Sequence, residues 1–474
     1  MAFNYNDVIA VSPILFLSAF SLLLLIVDAS VKKPANLVHW LTLIGLVITG
    51  VLTINTYNAP GAAFGGLVFT GHFPAFFEIV FIISAALSVL LSKPYLEMKG
   101  DYFGEYYSLL SFATVGMMVM ASSRDLMVLF LGLELMSISL YVLAGFVRRD
   151  AKSNEASLKY FLLGAFATGF FLYGIALMYG ASGSTNLAYI METWGNVQSD
   201  PLLWIGAAFI LVGLSFKISA VPFHMWAPDV YEGSPTTVAG FMSTGTKAAA
   251  FAALVLVFSY SVHPSPQLQV VIAYLAAVTM VVGNVIALVQ TNIKRMLAYS
   301  SIAHAGYALV GIAAANSLGR TGVLYYMLAY TFMQIGAFGV VSVLENKEGK
   351  YLNISDYQGL AYRHPVIAGL MALFMFSLAG IPPLAGFFGK YYLFASAVTA
   401  NMTWLAIVGV LASVVSVYFY LGVVVNMYFR EVPEGITSVT ISKLGATALI
   451  IAAAAVIELG LTPGYIVSLT EKLF

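Results

Sequence analysis

The chain has 474 residues, 61% of them hydrophobic and only 9% charged, against about 25% charged in an ordinary soluble domain. Its 21 basic and 21 acidic residues cancel and form no basic tract, which leaves no footing for nucleic acid. It has no cysteine, which excludes disulfides, thiolate metal sites and cysteine-ligated iron–sulfur clusters in this chain. There is no Walker loop, nor a G-x-G-x-x-G after a strand, so redox or nucleotide chemistry would sit on other chains. The composition predicts an all-α polytopic membrane protein.

Apolar runs of roughly 20 residues, enough to cross a ~30 Å hydrocarbon core, recur along the chain. The first, 8–28, has no basic residue before it and reads as a retained membrane helix, not a secretory signal. The second is 38–57. The Gly-rich stretch Gly61 to Phe73 is too short to span and is expected to form a surface loop or small hairpin. The third and fourth are 76–96, with Glu78 near its end, and 105–121. The fifth, 125–147, carries Glu134 nine residues after Asp125, ~13 Å deep at 1.5 Å per residue.

After 156–181, the seventh run, 202–221, ends in SFKISAVPFHMW, which places Lys217, the helix breaker Pro222 and His224 close together. The eighth, 235–259, holds Lys247 twelve residues after Pro235, ~18 Å deep. Then follow 268–289, 293–315 with His304 in YSSIAHAGYALVG, and 320–345. The twelfth, 365–399, is split by GIPP (Gly380 to Pro383), with Lys390 about two turns later; 402–429 and 444–464, with Glu458 near its end, complete a count of about fourteen.

Loop charge supports that count. With alternate loops labelled from an outer N-terminus, fifteen Lys and Arg fall inside: Lys32, Lys33, Lys93, Lys99, Arg148, Arg149, Lys152, Lys159, Lys294, Arg295, Lys347, Lys350, Arg363, Arg430 and Lys443. Only Arg124, Arg320 and Lys472 fall outside, a positive-inside bias that puts both termini on the outer side.

Lys217, Lys247 and Lys390 remain within spans. An ionisable group at mid-membrane costs about 2.5–3.5 kcal/mol on insertion scales. Snorkelling explains such a lysine only near an interface or a break, and a static buried ion pair is a second plain explanation. The functional explanation is a proton or ion relay through buried amines and water. Glu134 has a milder alternative, a neutral carboxyl bonded between helices. Glu78 and Glu458, near their span ends, are expected to be interfacial. His224 and His304 are relay candidates or interhelical hydrogen-bonders, and Tyr299, Ser300 and Ser301 either hold water or pack. No His/Asp/Glu cluster has metal-ligand spacing, and no arrangement suggests a nucleophile.

Two breaks five spans apart, each with a nearby lysine, point to inverted repeats with an ion path at the breaks. The expected division is 1–100 (helices one to three), 101–262 (first repeat, helices four to eight), 263–430 (second repeat, helices nine to thirteen) and 431–474 (helix fourteen).

KISAVPFHMWAPDVYEGSPTTVAGFMST (217–244), QTNIKRMLAYSSIAHAGYALVG (290–311) and SLAGIPPLAGFFGKYYLF (377–394) closely resemble the antiporter-like membrane subunits of respiratory complex I, the NADH:quinone oxidoreductase. SNEASLKYFLLGAFATGFFLYGIALMYG (153–180) fits the same family, in its N branch. Against the M branch stands Lys390, where M has a glutamate; against the L branch, the chain end soon after the last span. The resemblance implies a proton-translocating membrane-arm subunit. Glu134 and Lys217 would form a coupled acid–base pair, and Lys247 would be the central carrier. Lys390 would connect to the outer half-channel, His224 would lie between Lys217 and Lys247, and His304 would join the relay. It implies no cofactor in this chain, with FMN, iron–sulfur clusters and quinone in other subunits. The implied partners are subunits M, K and J, the implied location a bacterial inner membrane. A cation/proton antiporter or a membrane-bound hydrogenase subunit of the same fold stays open beside it, as does a purely structural scaffold.

Overall fold

The computed structural model describes residues 5–197, 200–261, 265–346, 351–432 and 441–471. Lys347, Lys350 and Lys472 of the loop-charge count lie outside them.

A short α1 (Tyr5–Ala10) leads into α2 (Ser12–Ser30) and α3 (Ala35–Tyr57). The Gly-rich stretch forms the expected hairpin, β1 (Gly61–Ala63) antiparallel to β2 (Val68–Thr70), with Gly61 opposite Thr70. Next come α4 (His72–Lys99), α5 (Glu105–Ser122), α6 (Leu126–Ala144), α7 (Ala151–Ser182) and an unforeseen short α8 (Leu187–Val197). The first broken helix is α9 (Pro201–Ile218) followed by α10 (Trp226–Gly233). α11 (Thr236–Leu254) ends in a π-helical turn, Val255–Ser261. α12 (Pro266–Ala287), α13 (Ile293–Ala314) and α14 (Ser317–Leu344) follow, then a one-turn α15 (Leu360–Arg363). The second broken helix is α16 (Pro365–Ala379) with α17 (Ala385–Thr399), before α18 (Thr403–Phe429), α19 (Lys443–Leu461) and α20 (Pro463–Glu471).

Among the described residues, twelve helices are long and apolar enough to cross a membrane. The chain is thus a multi-pass integral membrane protein. Of the fourteen expected runs, α5 and the split α16–α17 fall outside that twelve. α5 carries Tyr106, Tyr107, Ser108, Ser111 and Thr114, which lower its hydropathy, and the break leaves two short halves.

Burial sorts the helices. The membrane stretch of α11 is 100% buried, that of α13 94% and that of α14 89%, whereas α2 reaches 22% and α7 33%. The helices that carry Lys247, His304 and Gln334 are therefore central, and the outer ones turn apolar stripes such as Leu158, Phe161, Leu162 and Phe166 outward. Lipid tails are as apolar as leucine, so helices in a bilayer associate by close approach of small residues. A Cβ on Gly116 of α5 would stand 2.5 Å from Met136 N on α6, and one on Gly283 of α12 would stand 2.7 Å from Ala303 N on α13.

Two junctions share one construction. Asp125 caps α6 by accepting from the amides of Met127 and Val128, and Asn292 caps α13 by accepting from Lys294 and Arg295. These caps satisfy amides that have no intrahelical partner. Asp125 also bridges to Asn186, and Asn292 to Asn353. The flanking bonds match too: Leu126 N donates to Thr185 O and Ile293 N to Leu352 O, at 2.9 and 2.8 Å.

Candidate functional site: a row of buried amines

At the first break, α9 ends with Ser219 in a left-handed conformation (φ 61°), and the amides of Ser219 and Ala220 close onto the carbonyls of Phe216 and Ser215. At the second, α16 ends with Gly380 (φ 88°), and the amides of Gly380 and Ile381 close onto Phe376 and Ser377. Both are helix ends capped by their own chain, after which a proline prevents the helix from resuming. Val221–Pro222 and Pro382–Pro383 are cis. Trp226 pins the first break: its Nε1 donates to Phe216 O at 2.9 Å, and its ring stacks on Tyr160 at 4.5 Å. From α12, Thr279 accepts the Val221 amide at 3.0 Å.

Lys217 lies in the last turn of α9 and is 3% exposed. Its amine has one hydroxyl contact, Tyr141 at 3.4 Å, and lies 5.2 Å from the ring centres of Tyr141 and Tyr160. The aromatic faces supply the negative electrostatic surface that water would otherwise give.

Lys247, 1% exposed, reaches from α11 to α13, where it donates to the carbonyl of Ser301 at 2.5 Å and to the Ser301 hydroxyl. Lys390, 4% exposed, reaches back to the broken end of α16. It donates to the carbonyls of Leu378 and Ala379, both at 2.9 Å, and to Ser413 at 2.8 Å. Those carbonyls are ones a helix C-terminus leaves unpaired, and the helix dipole favours a cation there. Breaking α16 thus creates the seat of this ammonium.

His304 sits between Lys247 and Lys390 on α13. Its Nδ1 pairs with the Tyr326 hydroxyl and its Nε2 with Tyr420 at 3.0 Å. Tyr420 also pairs with Ser300. Tyr307, one turn on, lies 5.5 Å from the His304 ring and puts its own ring 4.8 Å from the Lys390 amine. Ser300, Ser301, His304 and Tyr307 share one face of α13, at the three- and four-residue steps that stack side chains along a helix. Polar contacts thus form two series that meet at neighbouring residues, Lys247 with Ser301 and Ser300 with Tyr420 and His304, and Tyr307 extends them to the neighbourhood of Lys390. Of the hydroxyls flagged in the sequence, Ser301 holds Lys247 and Ser300 holds Tyr420, while Tyr299 packs against the core. Reading the sequence missed Tyr307, Tyr326 and Tyr420, because nothing separates them from the chain's other 25 tyrosines.

Other positions named in the sequence have different surroundings. Glu134 is half-buried and accepts from Thr168 of α7 at 2.8 Å; among the described residues no ion pair joins it to Lys217. It belongs to the face of α6 that carries the exposed Leu131 and Ile138. His224 is half-buried in the turn after Pro222, its Nδ1 has no hydrogen-bond partner, and no hydrogen bond among the described residues ties it to Lys217 or Lys247. Glu78, near the start of α4, is enclosed by protein: it is 4% exposed and accepts from Thr53 at 2.9 Å and Ser122 at 3.3 Å. Helix position gives depth along an axis, not what packs beside it. Glu458 is exposed. Among the described residues no group of three or more His, Asp or Glu could hold a metal.

Residues 123–416 match the family described as NADH:quinone oxidoreductase/Mrp antiporter, TM. The NADH-quinone oxidoreductase subunit N of Trichlorobacter lovleyi is 48% identical, with 98% of this chain and 96% of that one covered. The chain belongs to the subunit N family of NADH-quinone oxidoreductase. The Salinibacter ruber subunit N is 46% identical, covering 96% of this chain and 93% of the other. A chain of respiratory complex I from Thermus thermophilus, solved with bound aureothin, superimposes with a TM-score of 0.85 at 36% identity, covering 96% of this chain and 98% of that one. A chain of the Mrp complex from Dietzia sp. shares the fold, with a TM-score of 0.87 at 20% identity over 98% and 96% of the two chains. For this subunit N family member the antiporter-like fold therefore stands on both sequence and structure.

Proposed function

We propose that the chain is a proton-translocating subunit in the membrane arm of an NADH:quinone oxidoreductase, and that Glu134, Lys217, Lys247, His304 and Lys390 carry the protons, with His224 ordering water at the first break. The observation that carries this reading is a pair of polar series meeting at the neighbouring residues Ser300 and Ser301: Lys247 with Ser301, and Ser300 with Tyr420 and His304, beyond which the Tyr307 ring faces the Lys390 amine. A hydroxyl or imidazole can donate one proton while accepting another, so such a run conducts without moving heavy atoms far. A structural scaffold has no need of three amines buried at 4% exposure or less, each costing about 2.5–3.5 kcal/mol to place there.

The twelve spans, α5 and the split α16–α17 together make fourteen crossings. Helices four to eight and nine to thirteen are inverted repeats, 101–262 and 263–430, flanked by 1–100 and 431–474. The paired junctions support this: Asp125 with Asn186 recurs 167 positions on as Asn292 with Asn353. On fourteen alternating crossings the first junction lies outside and the second inside, as an inversion requires. The membrane is a bacterial inner membrane with both termini on its outer side. The complex supplies FMN, iron–sulfur clusters and quinone on other subunits. The half-buried carboxyl of Glu134, on an outward apolar face, is covered by a neighbouring subunit of the M, K or J type, since a bare carboxylate facing lipid would be costly.

In the assembled complex, Lys247→Ala is expected to keep flavin and iron–sulfur content while lowering NADH-driven proton uptake by inside-out vesicles severalfold. Unchanged uptake per NADH oxidised would refute the relay. Nickel in place of flavin in the purified complex would instead assign the chain to a hydrogenase.

A further inference from the structure

The relay just described needs a supply of protons from the inner side, and one group of side chains outside it is built for that. On the face holding the inner-loop basic residues is a cavity of about 640 Å³, lined by Lys99, Arg149, Lys152 and Lys294 and by Asp101, Asp150, Glu232 and Glu345. At its floor Glu345, 7% exposed, accepts from Lys99 at 2.7 Å, Thr236 at 2.5 Å and Tyr95 at 3.3 Å.

From Thr236 the polar groups continue inward between α4, α5 and α11. Thr237 pairs with Tyr106 at 3.2 Å, and Tyr106 with Ser92 at 2.7 Å. Ser88, one turn along α4, is buried and its hydroxyl has no hydrogen-bond partner. Ser84, one further turn along, pairs with Thr244 at 2.8 Å. Thr244 is one turn from Lys247. Gly245 lets α11 approach closely here: a Cβ at that position would stand 3.0 Å from the Ser84 hydroxyl.

The span from Thr236 to Lys247 is eleven residues, ~16 Å of helix, or about half of a ~30 Å hydrocarbon core. That is the distance an inner half-channel ending at the midplane has to cover. Interhelical glue accounts for single serine–threonine pairs. It does not account for Ser84, Ser88 and Ser92 at four-residue steps beneath a buried carboxylate, with the middle hydroxyl unpaired. A buried polar atom of that kind takes water where there is room. Among the described residues no direct hydrogen bond spans Ser88 or joins Thr244 to Lys247, so water bridges those two steps; the first break is the other candidate inlet.

We propose that Glu345 collects protons from the inner cavity and that the ladder Thr236, Tyr95, Thr237, Tyr106, Ser92, Ser88, Ser84 and Thr244 delivers them to the Lys247 amine. Each hydroxyl gives up its proton inward as it takes one from the cavity side. The neutral amine becomes ammonium, and Glu345 is recharged from inner water. The inference rests on Lys247 being a proton carrier.

The test compares variants of the assembled complex in inside-out vesicles, reading proton uptake per NADH oxidised. The double variant Thr244→Val with Ser84→Ala is expected to lose at least half of what Lys247→Ala loses. Thr244→Ser, which keeps the hydroxyl, is expected to pump like the parent. Tyr106→Phe, which removes one oxygen and tests the ladder in a chain that still folds, is expected to lower uptake at least twofold. Normal pumping by Tyr106→Phe and the double variant, with Lys247→Ala defective, would overturn the ladder and leave the relay standing. A Thr244→Ser variant as defective as the double variant would also overturn it. Normal pumping by Lys247→Ala would sink the reading on which the ladder rests.

Discussion

At the first break the lysine precedes the proline and sits in the last turn of α9, whereas at the second it follows the prolines and turns back to the broken end. Lys217 has one hydroxyl at 3.4 Å and a wall of aromatic rings. Lys390 has three acceptors at 2.9 Å or less, two of them carbonyls that α16 leaves unpaired. Hydrogen bonds to a charged group contribute about 1.5–3 kcal/mol each, so the second site holds its ammonium firmly. A ring face contributes less and has no direction that fixes the proton. In a device that has to pass a charge along, a weakly held site at one end of the row and a firmly held one at the other give an order of release. The two sites share a backbone construction, and the difference lies in which side of the break carries the amine.

The contrast predicts a graded set of outcomes. Lys390→Met should have the largest effect on stability, because the Leu378 carbonyl loses its lysine donor and the Ala379 carbonyl keeps only Ser413 at 3.4 Å. Each buried polar group left unpaired costs about 1–3 kcal/mol. Thermal unfolding of the purified complex should show early loss of this subunit, and a melting profile equal to the parent's would break the comparison. Lys217→Met should abolish most NADH-driven pumping yet destabilise less than Lys390→Met, since it strands no backbone carbonyl.

His304→Phe fills a similar volume but loses the contacts to Tyr326 and Tyr420. Pumping should fall severalfold with assembly kept, as read by vesicle acidification and by subunit content. Tyr141→Phe removes the one hydroxyl on Lys217 and should cost about 0.5–1.5 kcal/mol, the usual net value of one hydrogen bond. It should slow pumping less than Lys217→Met does. Glu134→Gln keeps an acceptor for Thr168 and should leave stability within about 0.5 kcal/mol. A large loss of assembly in that variant would mean that Glu134 is an interface anchor and not a proton partner.

Much of this was legible in the sequence, because lipid imposes simple rules. Each of the fourteen apolar runs coincides with a helix or a broken helix, and each anomaly within them (Lys217, Pro222, Lys247, Gly380 to Pro383, Lys390) stands out against a background that is 61% hydrophobic. What was illegible concerns lateral packing. Glu78 reads as interfacial and Lys294 as a loop cation, yet Glu78 is enclosed beside Thr53 and Ser122, and Lys294 is 2% exposed with its amine on Ser234 O at 2.7 Å. Glu345, just past the end of α14, is buried because Lys99, Thr236 and Tyr95, distant in sequence, close around its carboxylate. The tyrosines around His304 come from α13, the next helix α14 and the distant α18, and only the tertiary fold brings Tyr326 and Tyr420 onto its two ring nitrogens. His224 shows the converse. The resemblance implies a place between Lys217 and Lys247; the ring lies half-buried in the turn after Pro222, and among the described residues no hydrogen bond ties it to either lysine.

The most direct measurement is a structure of the assembled complex that resolves water between Lys217 and Lys390. The account predicts ordered water joining Lys217 to Lys247, and polar contact without a gap from Lys247 past His304 to Lys390. A dry apolar gap wider than one water on that line, in every functional state, would contradict it.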